Sequence, residues 1–117
     1  MELEIGAKQY ELRFGLSFIN EIDTIYTQDI DGFQFGTGLE MMQTYLGLRR
    51  PTVLYNIIKA GTSHLNSKPS NNEIEKFLED IFISGEQEGF FERVEEAAKQ
   101  APFLSQAMKR MQAEEQQ

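Results

Sequence analysis

The segment Gly36-Thr37-Gly38 has residue types that could bind a phosphate group, because glycines before a helix expose backbone N–H groups to an anion. A phosphate loop has the pattern G-x-x-x-x-G-K-[ST], with a lysine at the start of the helix. Leu39 and Glu40 stand in that place, and the Glu40 carboxylate would repel phosphate. We therefore expect no nucleotide site. Thr37 and Glu40 instead have the spacing of a capping box, in which each side chain accepts a hydrogen bond from the other residue's backbone N–H.

The segment Asp29-Ile30-Asp31-Gly32 resembles part of a calcium-binding loop. If Gly32 is the sixth position of such a loop, the first position falls on Thr27 and the twelfth on Gly38. The first position requires Asp and the twelfth a bidentate Glu, so both fail. We interpret the segment as a turn with two solvated carboxylates.

His64, the one histidine of the chain, lies in a polar stretch with no cysteine to complete a zinc site, and we expect an exposed loop residue. The acid pairs Glu79-Asp80 and Glu95-Glu96 could suggest glycosidase carboxylates, but that chemistry needs one acid in an apolar pocket with a raised pKa. These acids occupy helix positions that look solvated. The sequence predicts no catalytic, cofactor-binding or metal-binding residue, and we expect no enzyme.

The elements that would position these residues follow from the spacing of apolar side chains. Near the N-terminus, apolar residues alternate with polar ones on both sides of Gly6-Ala7-Lys8, which predicts a β-hairpin with one buried face. The apolar positions are Leu3, Ile5, Tyr10, Leu12 and Phe14.

The rest of the chain has helical spacing, interrupted by a loop without helical period at 29–37, with a turn at Asp31-Gly32, and by a polar loop at 62–69. We expect Ser17 to cap the first helix, a second helix to end near Gly47, a third to run from Pro51 to Gly61, and a Ser70–Glu73 capping box to open the fourth. Two further helices follow, separated near Pro102. The patterns predict an α+β, mostly helical fold in which an N-terminal two-stranded β-hairpin packs on a bundle of five to six short α-helices. We expect one domain over residues 1–112 and a frayed polar tail over residues 113–117.

The net charge is −8, and most of the excess lies in residues 73–96, where nine acids oppose two basic residues. Nucleic acid and anionic membrane surfaces are therefore poor partners. This acidic segment is either an ordinary solvated face or a docking face for a basic partner. A chain without cysteine, and with an acidic, alternating N-terminus instead of a signal peptide, fits the cytoplasm.

Several apolar residues are not required by any helical stripe, and they are our candidates for partner binding: Phe33, Phe35, Met41, Phe90 and Phe91. Phe90 and Phe91 are adjacent, so we expect that both cannot point fully inward from one helix. An adaptable apolar surface is one interpretation, and additional core residues are the other. At the end of the second helix, Arg49 and Arg50 either complement the helix dipole or bind a partner.

Together with these features, a set of short motifs resembles the small tail assembly chaperones of long-tailed bacteriophages that infect Gram-positive bacteria. The motifs cover roughly residues 1–105 and comprise Tyr10-Glu11-Leu12-Arg13-Phe14-Gly15, Asp23, Phe35-Gly36-Thr37-Gly38-Leu39-Glu40, Tyr45-Leu46, Ile57-Ile58-Lys59-Ala60-Gly61-Thr62 and Lys68-Pro69-Ser70.

The resemblance implies a protein that binds the tape measure protein and keeps it soluble until the tail tube polymerises around it. It also implies self-association, a longer frameshifted form as a partner, contact with the tail tube protein, and a place in the host cytoplasm of a phage or prophage but not in the mature virion. It implies no catalytic residue and no cofactor. The alternatives are a virion component, such as a tail completion or connector protein, and an acidic inhibitor or other binding module.

Overall fold

The computed structural model describes residues 1–115, and among these it leaves out the side chains of residues 34, 35 and 111–115. Six α-helices and two antiparallel hairpins follow one another in this part of the chain. The strands are β1 (Glu2–Ile5), β2 (Lys8–Glu11), β3 (Thr27–Ile30) and β4 (Phe33–Gly36). The helices are α1 (Leu16–Ile25), α2 (Gly38–Gly47), α3 (Pro51–Gly61), α4 (Asn71–Ser84), α5 (Gln87–Gln100) and α6 (Pro102–Glu115).

The N-terminal hairpin confirms the alternating pattern. Leu3 pairs with Tyr10 across the strands, and Leu3, Ile5 and Tyr10 are buried. The second strand ends earlier than expected, because the Arg13 N–H donates to the carbonyl oxygen of Gly61 at 3.0 Å. The end of α3 thereby gains a partner for one of its free carbonyl groups. The predicted α+β, mostly helical fold is confirmed.

Gly61 lies where this crossing requires it. A Cβ atom added at Gly61 would come within 2.9 Å of the Leu12 side chain, so a larger residue would separate α3 from the hairpin exit.

The helix boundaries confirm most of the predicted start and stop positions. Pro51 begins α3, and the capping box at the start of α4 is formed, with the Glu73 N–H donating to Ser70 Oγ at 3.1 Å and the Ser70 N–H donating to the Glu73 carboxylate at 2.9 Å. Gly85 ends α4 with a left-handed φ of 80°, which glycine adopts without steric cost.

The predictions for Ser17 and His64 are wrong. Ser17 does not cap α1, because Gly15 is the N-cap and the helix begins at Leu16, two residues before the start that a Ser17 cap would give. His64 is partly buried instead of exposed. The predicted frayed tail lies partly outside the described residues and stays a prediction.

The core is formed where the β1–β2 hairpin and all six helices meet. The largest fully buried side chains come from β1, the β2 exit and the helices, and include Ile5, Leu12, Phe18, Ile22, Met42, Leu46, Leu54, Ile57, Ile58, Ile74, Phe91 and Leu104. Within the described residues, no helix combines the length and apolar character needed to cross a bilayer.

Candidate partner-binding surface

The β3–β4 hairpin is the main departure from the sequence-based interpretation, which placed a loop at residues 29–37. A two-residue turn at Asp31-Gly32 joins the strands, and φ is positive at both residues, 52° and 82°. Such a turn matches the right-handed twist of paired strands, and Asp-Gly is one of its preferred sequences. The hairpin was missed because β3 is Thr27-Gln28-Asp29-Ile30, which lacks the alternation of a half-buried strand.

The tip of this hairpin, defined as Ile30–Phe33, presents apolar side chains to solvent. Ile30 and Phe33 are directly opposed in the register, so their side chains share one face. They are 50% and 69% exposed. All four residues of β3 are exposed. Among the described residues β3 pairs with β4 alone, so its outer edge is open to pairing.

The base of the hairpin is held firmly between α1 and α2. The Gly38 N–H donates to Asp23 Oδ1 at 2.8 Å, and the Thr37 N–H donates to the Tyr26 carbonyl oxygen at 2.9 Å. The Tyr26 ring lies 5.8 Å from the Tyr45 ring, and its hydroxyl accepts a hydrogen bond from the Asn56 side chain at 2.9 Å. A rigid base therefore carries an exposed apolar tip.

The predicted capping box at Thr37 and Glu40 is wrong. The Thr37 hydroxyl donates to the Tyr26 carbonyl oxygen at 3.3 Å and forms no cap with α2. The cap comes instead from Asp23 on α1, whose carboxylate also complements the positive end of the α2 dipole. Spacing along the chain could not predict a cap supplied from 15 residues upstream.

The two glycines around Thr37 are explained by this packing. A Cβ atom at Gly36 would lie 2.7 Å from Asp23 Cβ, and one at Gly38 would lie 2.6 Å from Ile22 Cγ2 and 2.7 Å from the Asp23 backbone nitrogen. Both positions therefore need glycine for close approach to α1. A carboxylate already occupies the N-terminus of α2, which further disfavours phosphate at that position.

The sequence-predicted candidates fall into different environments. Phe33 is exposed at the hairpin tip, and Met41 is partly buried on α2. Phe35 lies in β4 with its backbone opposite Gln28, and its side chain is outside the described residues. Phe90 and Phe91 are only 4% and 1% exposed.

The expectation that Phe90 and Phe91 cannot both be buried is wrong. Adjacent positions on a helix point about 100° apart, and α5 has neighbours in both directions. The Phe90 ring lies 5.7 Å from Phe77 of α4. The Phe91 ring lies 6.4 Å from Phe82 and is covered by the Arg49 guanidinium at 5.1 Å. In the free chain both rings belong to the core, and their contact with a partner stays a prediction.

Arg49 has an intramolecular role that the sequence left open. It lies just after α2 with a positive φ of 55°, and it donates to the Glu88 carboxylate at 2.8 Å and to the Glu95 carboxylate at 2.9 Å. Hydrogen bonding to Glu88 is the main cause that raises the pKa of Arg49 above its ordinary value. The side chain thus joins the α2–α3 turn to α5 and neutralises part of the acidic segment.

Among the described residues, no group of three or more His, Cys, Asp or Glu side chains is placed to hold a metal ion. The exposed apolar tip of the β3–β4 hairpin is suited to contact with another protein. Ile30, which the sequence analysis did not select, belongs to it. In the sequence, the apolar residues Ile30 and Phe33 on either side of Asp31-Gly32 could have indicated this hairpin.

A comparison with protein-family models matched residues 2–112 to the model described as a phage tail assembly chaperone protein, TAC. Comparisons with curated proteins and with solved structures returned no match. The family match spans both hairpins, so the candidate surface lies inside the matched region.

Proposed function

The chain belongs to the phage tail assembly chaperone family, and from this premise we propose that it binds the tape measure protein and keeps it soluble until the tail tube polymerises around it. The observation that carries the proposal is the apolar pair Ile30 and Phe33 on a firmly anchored hairpin. Before the tube forms, a long helical protein exposes apolar seams, and an apolar tip can cover them.

The size of the tip supports a releasable contact. Full burial of one Phe or Ile side chain contributes about 1.5–3 kcal/mol, whereas association costs roughly 4–15 kcal/mol in lost freedom. One tip alone therefore binds weakly. We propose that many copies bind along the tape measure protein, so that each can be displaced by the growing tube.

Self-association is part of the proposal, and the free edge of β3 supports it, since paired strands from two copies would remove that edge. A longer frameshifted form and the tail tube protein are the other proposed partners. We propose that the chain acts in the host cytoplasm and is not retained in the mature virion. No catalytic step is part of this function.

The test is co-expression with the large helix-rich protein encoded downstream, measuring the soluble fraction of that protein and its co-purification. Phe33→Ser should lower both while leaving the chaperone folded, because the ring is exposed. Leu16→Ser is the matched control, since Leu16 is also exposed but begins α1, at the end opposite the hairpin. Phe91→Ser should instead unfold the chain, because it removes a core side chain at a cost of roughly 3–5 kcal/mol.

The proposal fails if the downstream protein stays insoluble when this chain and the longer form are both supplied. The hairpin assignment alone fails if Phe33→Ser and Leu16→Ser behave alike. Mass spectrometry of mature particles separates the chaperone from a virion component, because a chaperone should be absent from them.

A further inference from the structure

A groove of about 600 Å³ runs between the start of α3 and the face of α4. None of its lining residues belongs to the β3–β4 hairpin. Tyr55, Leu78 and Phe82 supply its apolar surface. Ile83 lies one turn beyond Glu79 on α4 and is 77% exposed, the highest value among the large apolar side chains that the structure describes. Ile83 is not among the lining residues of the groove, but it adds exposed apolar surface beside Phe82 near the end of α4.

The rim of the groove is acidic. Glu75 and Glu79 line it, one turn apart on α4, and no lysine or arginine is among the lining residues. Neither carboxylate forms an ion pair within the described part of the chain. The nearby Lys76 forms its ion pair with Asp80 at 2.7 Å, and the charge of Glu79 is a smaller cause of its raised pKa than Asp80.

We propose that the α3–α4 groove binds an amphipathic helix that carries lysine or arginine beside its apolar stripe. An apolar floor between two helices accepts the ridge of a third helix, and the two free carboxylates select a basic one. The groove offers no strand edge, which disfavours an extended peptide. This proposal rests on the proposed function in one respect, namely the identity of the protein that supplies the helix.

Charge favours a foreign helix over a second copy of this chain. Each copy carries a net charge of −8, so an acidic surface of a second copy would be repelled by Glu75 and Glu79 at this groove; this repulsion does not apply to pairing at the β3 edge. A basic helix gains attraction from the same charges. The groove and the hairpin tip are thus two separate contact surfaces, one selective for charge and one apolar.

The test uses the full chain and a fluorescent synthetic peptide, about 18 residues long, with leucine at helical spacing and lysine at the flanking positions. Fluorescence anisotropy should show binding of this peptide and much weaker binding of the same peptide with glutamate in place of lysine. The double variant Glu75→Gln/Glu79→Gln should bind the lysine peptide roughly 2- to 30-fold more weakly, as expected for two exposed charge pairs. Thr52→Trp should block the groove, since Thr52 is an exposed lining residue.

Glu92→Gln/Glu96→Gln is the matched control, because it removes the same charge from α5, outside the groove. Equal weakening by both double variants would show nonspecific attraction and overturn the site. The groove assignment would also be overturned if Thr52→Trp bound the lysine peptide as well as the unsubstituted chain does. It would likewise be overturned if the unsubstituted chain bound no peptide, including the case in which the chain only self-associates. Circular dichroism confirms that each variant is folded. If the peptide experiment fails, the co-expression result is unaffected, and if co-expression fails, the peptide-binding result is unaffected. The two proposals can therefore be refuted independently.

Discussion

Replacing Gly38 with alanine tests whether close packing on α1 explains the glycine before α2. The new Cβ atom would lie 2.6 Å from Asp23 Oδ1, 2.6 Å from Ile22 Cγ2 and 2.7 Å from the Asp23 backbone nitrogen. The carboxylate could rotate away, but only by giving up its 2.8 Å hydrogen bond to the Gly38 N–H. The backbone nitrogen cannot move without shifting α1.

Two opposing effects set the expected magnitude. Alanine gains up to about 1 kcal/mol over glycine in a helix, and less at the first position of α2. Overpacking costs about 1–3 kcal/mol, and loss of the Asp23 cap costs about 0.5–2 kcal/mol. Overpacking and cap loss exceed the gain, so Gly38→Ala should lower the free energy of unfolding by roughly 1–3 kcal/mol. For a domain of this size that corresponds to a Tm lower by about 4–12 °C.

Gly89→Ala is the matched control, because Gly89 is also helical and no atom lies within 4 Å of its added Cβ. It should leave stability unchanged or raise it by up to about 1 kcal/mol. Urea unfolding followed by circular dichroism measures both variants. A Gly38→Ala chain as stable as the unsubstituted one would refute the packing explanation and reopen a ligand-binding role for the Gly-Thr-Gly segment.

Two further predictions concern ionic and capping contacts. Arg49→Ala should lower the free energy of unfolding by about 1 kcal/mol at low salt and by less at high salt, because partly exposed ion pairs are screened. Arg13→Ala is the control and should change stability little, because the ion pair of Arg13 with Glu11 is more exposed. Equal effects of the two variants in salt-dependent urea unfolding would contradict the proposal that Arg49 stabilises the contact between the α2–α3 turn and α5. The pKa of Glu73 is lowered from the ordinary value of 4.5 mainly by the hydrogen bond from the Ser70 backbone N–H and secondly by the Ser70 hydroxyl. Ser70→Ala keeps the N–H and removes the hydroxyl, so it should raise this pKa only in part. The lowered pKa stabilises the fold above pH 4.5, and that contribution is lost as pH falls through the folded value. An NMR titration in which the Glu73 pKa does not rise in the variant would contradict the part that the Ser70 hydroxyl plays in lowering it.

Elements whose causes are local could be predicted from the sequence. The alternation around Gly6, the Pro51 start of α3, and the reciprocal capping of α4 by Ser70 and Glu73 each depend on residues a few positions apart. The family resemblance was likewise carried by short motifs, and the family match over residues 2–112 confirms it.

Features whose partners are distant along the chain became visible in the folded structure. Asp23 caps a helix 15 residues downstream, which diverts Thr37 from the cap that spacing predicted. Phe90 and Phe91 are both buried because α5 has neighbours on more than one side. The α3–α4 groove joins residues from Pro51 to Phe82, and no periodicity within one helix reveals the space between two. Local pattern predicts which face of an element is apolar, but the packing of other elements decides whether that face is covered.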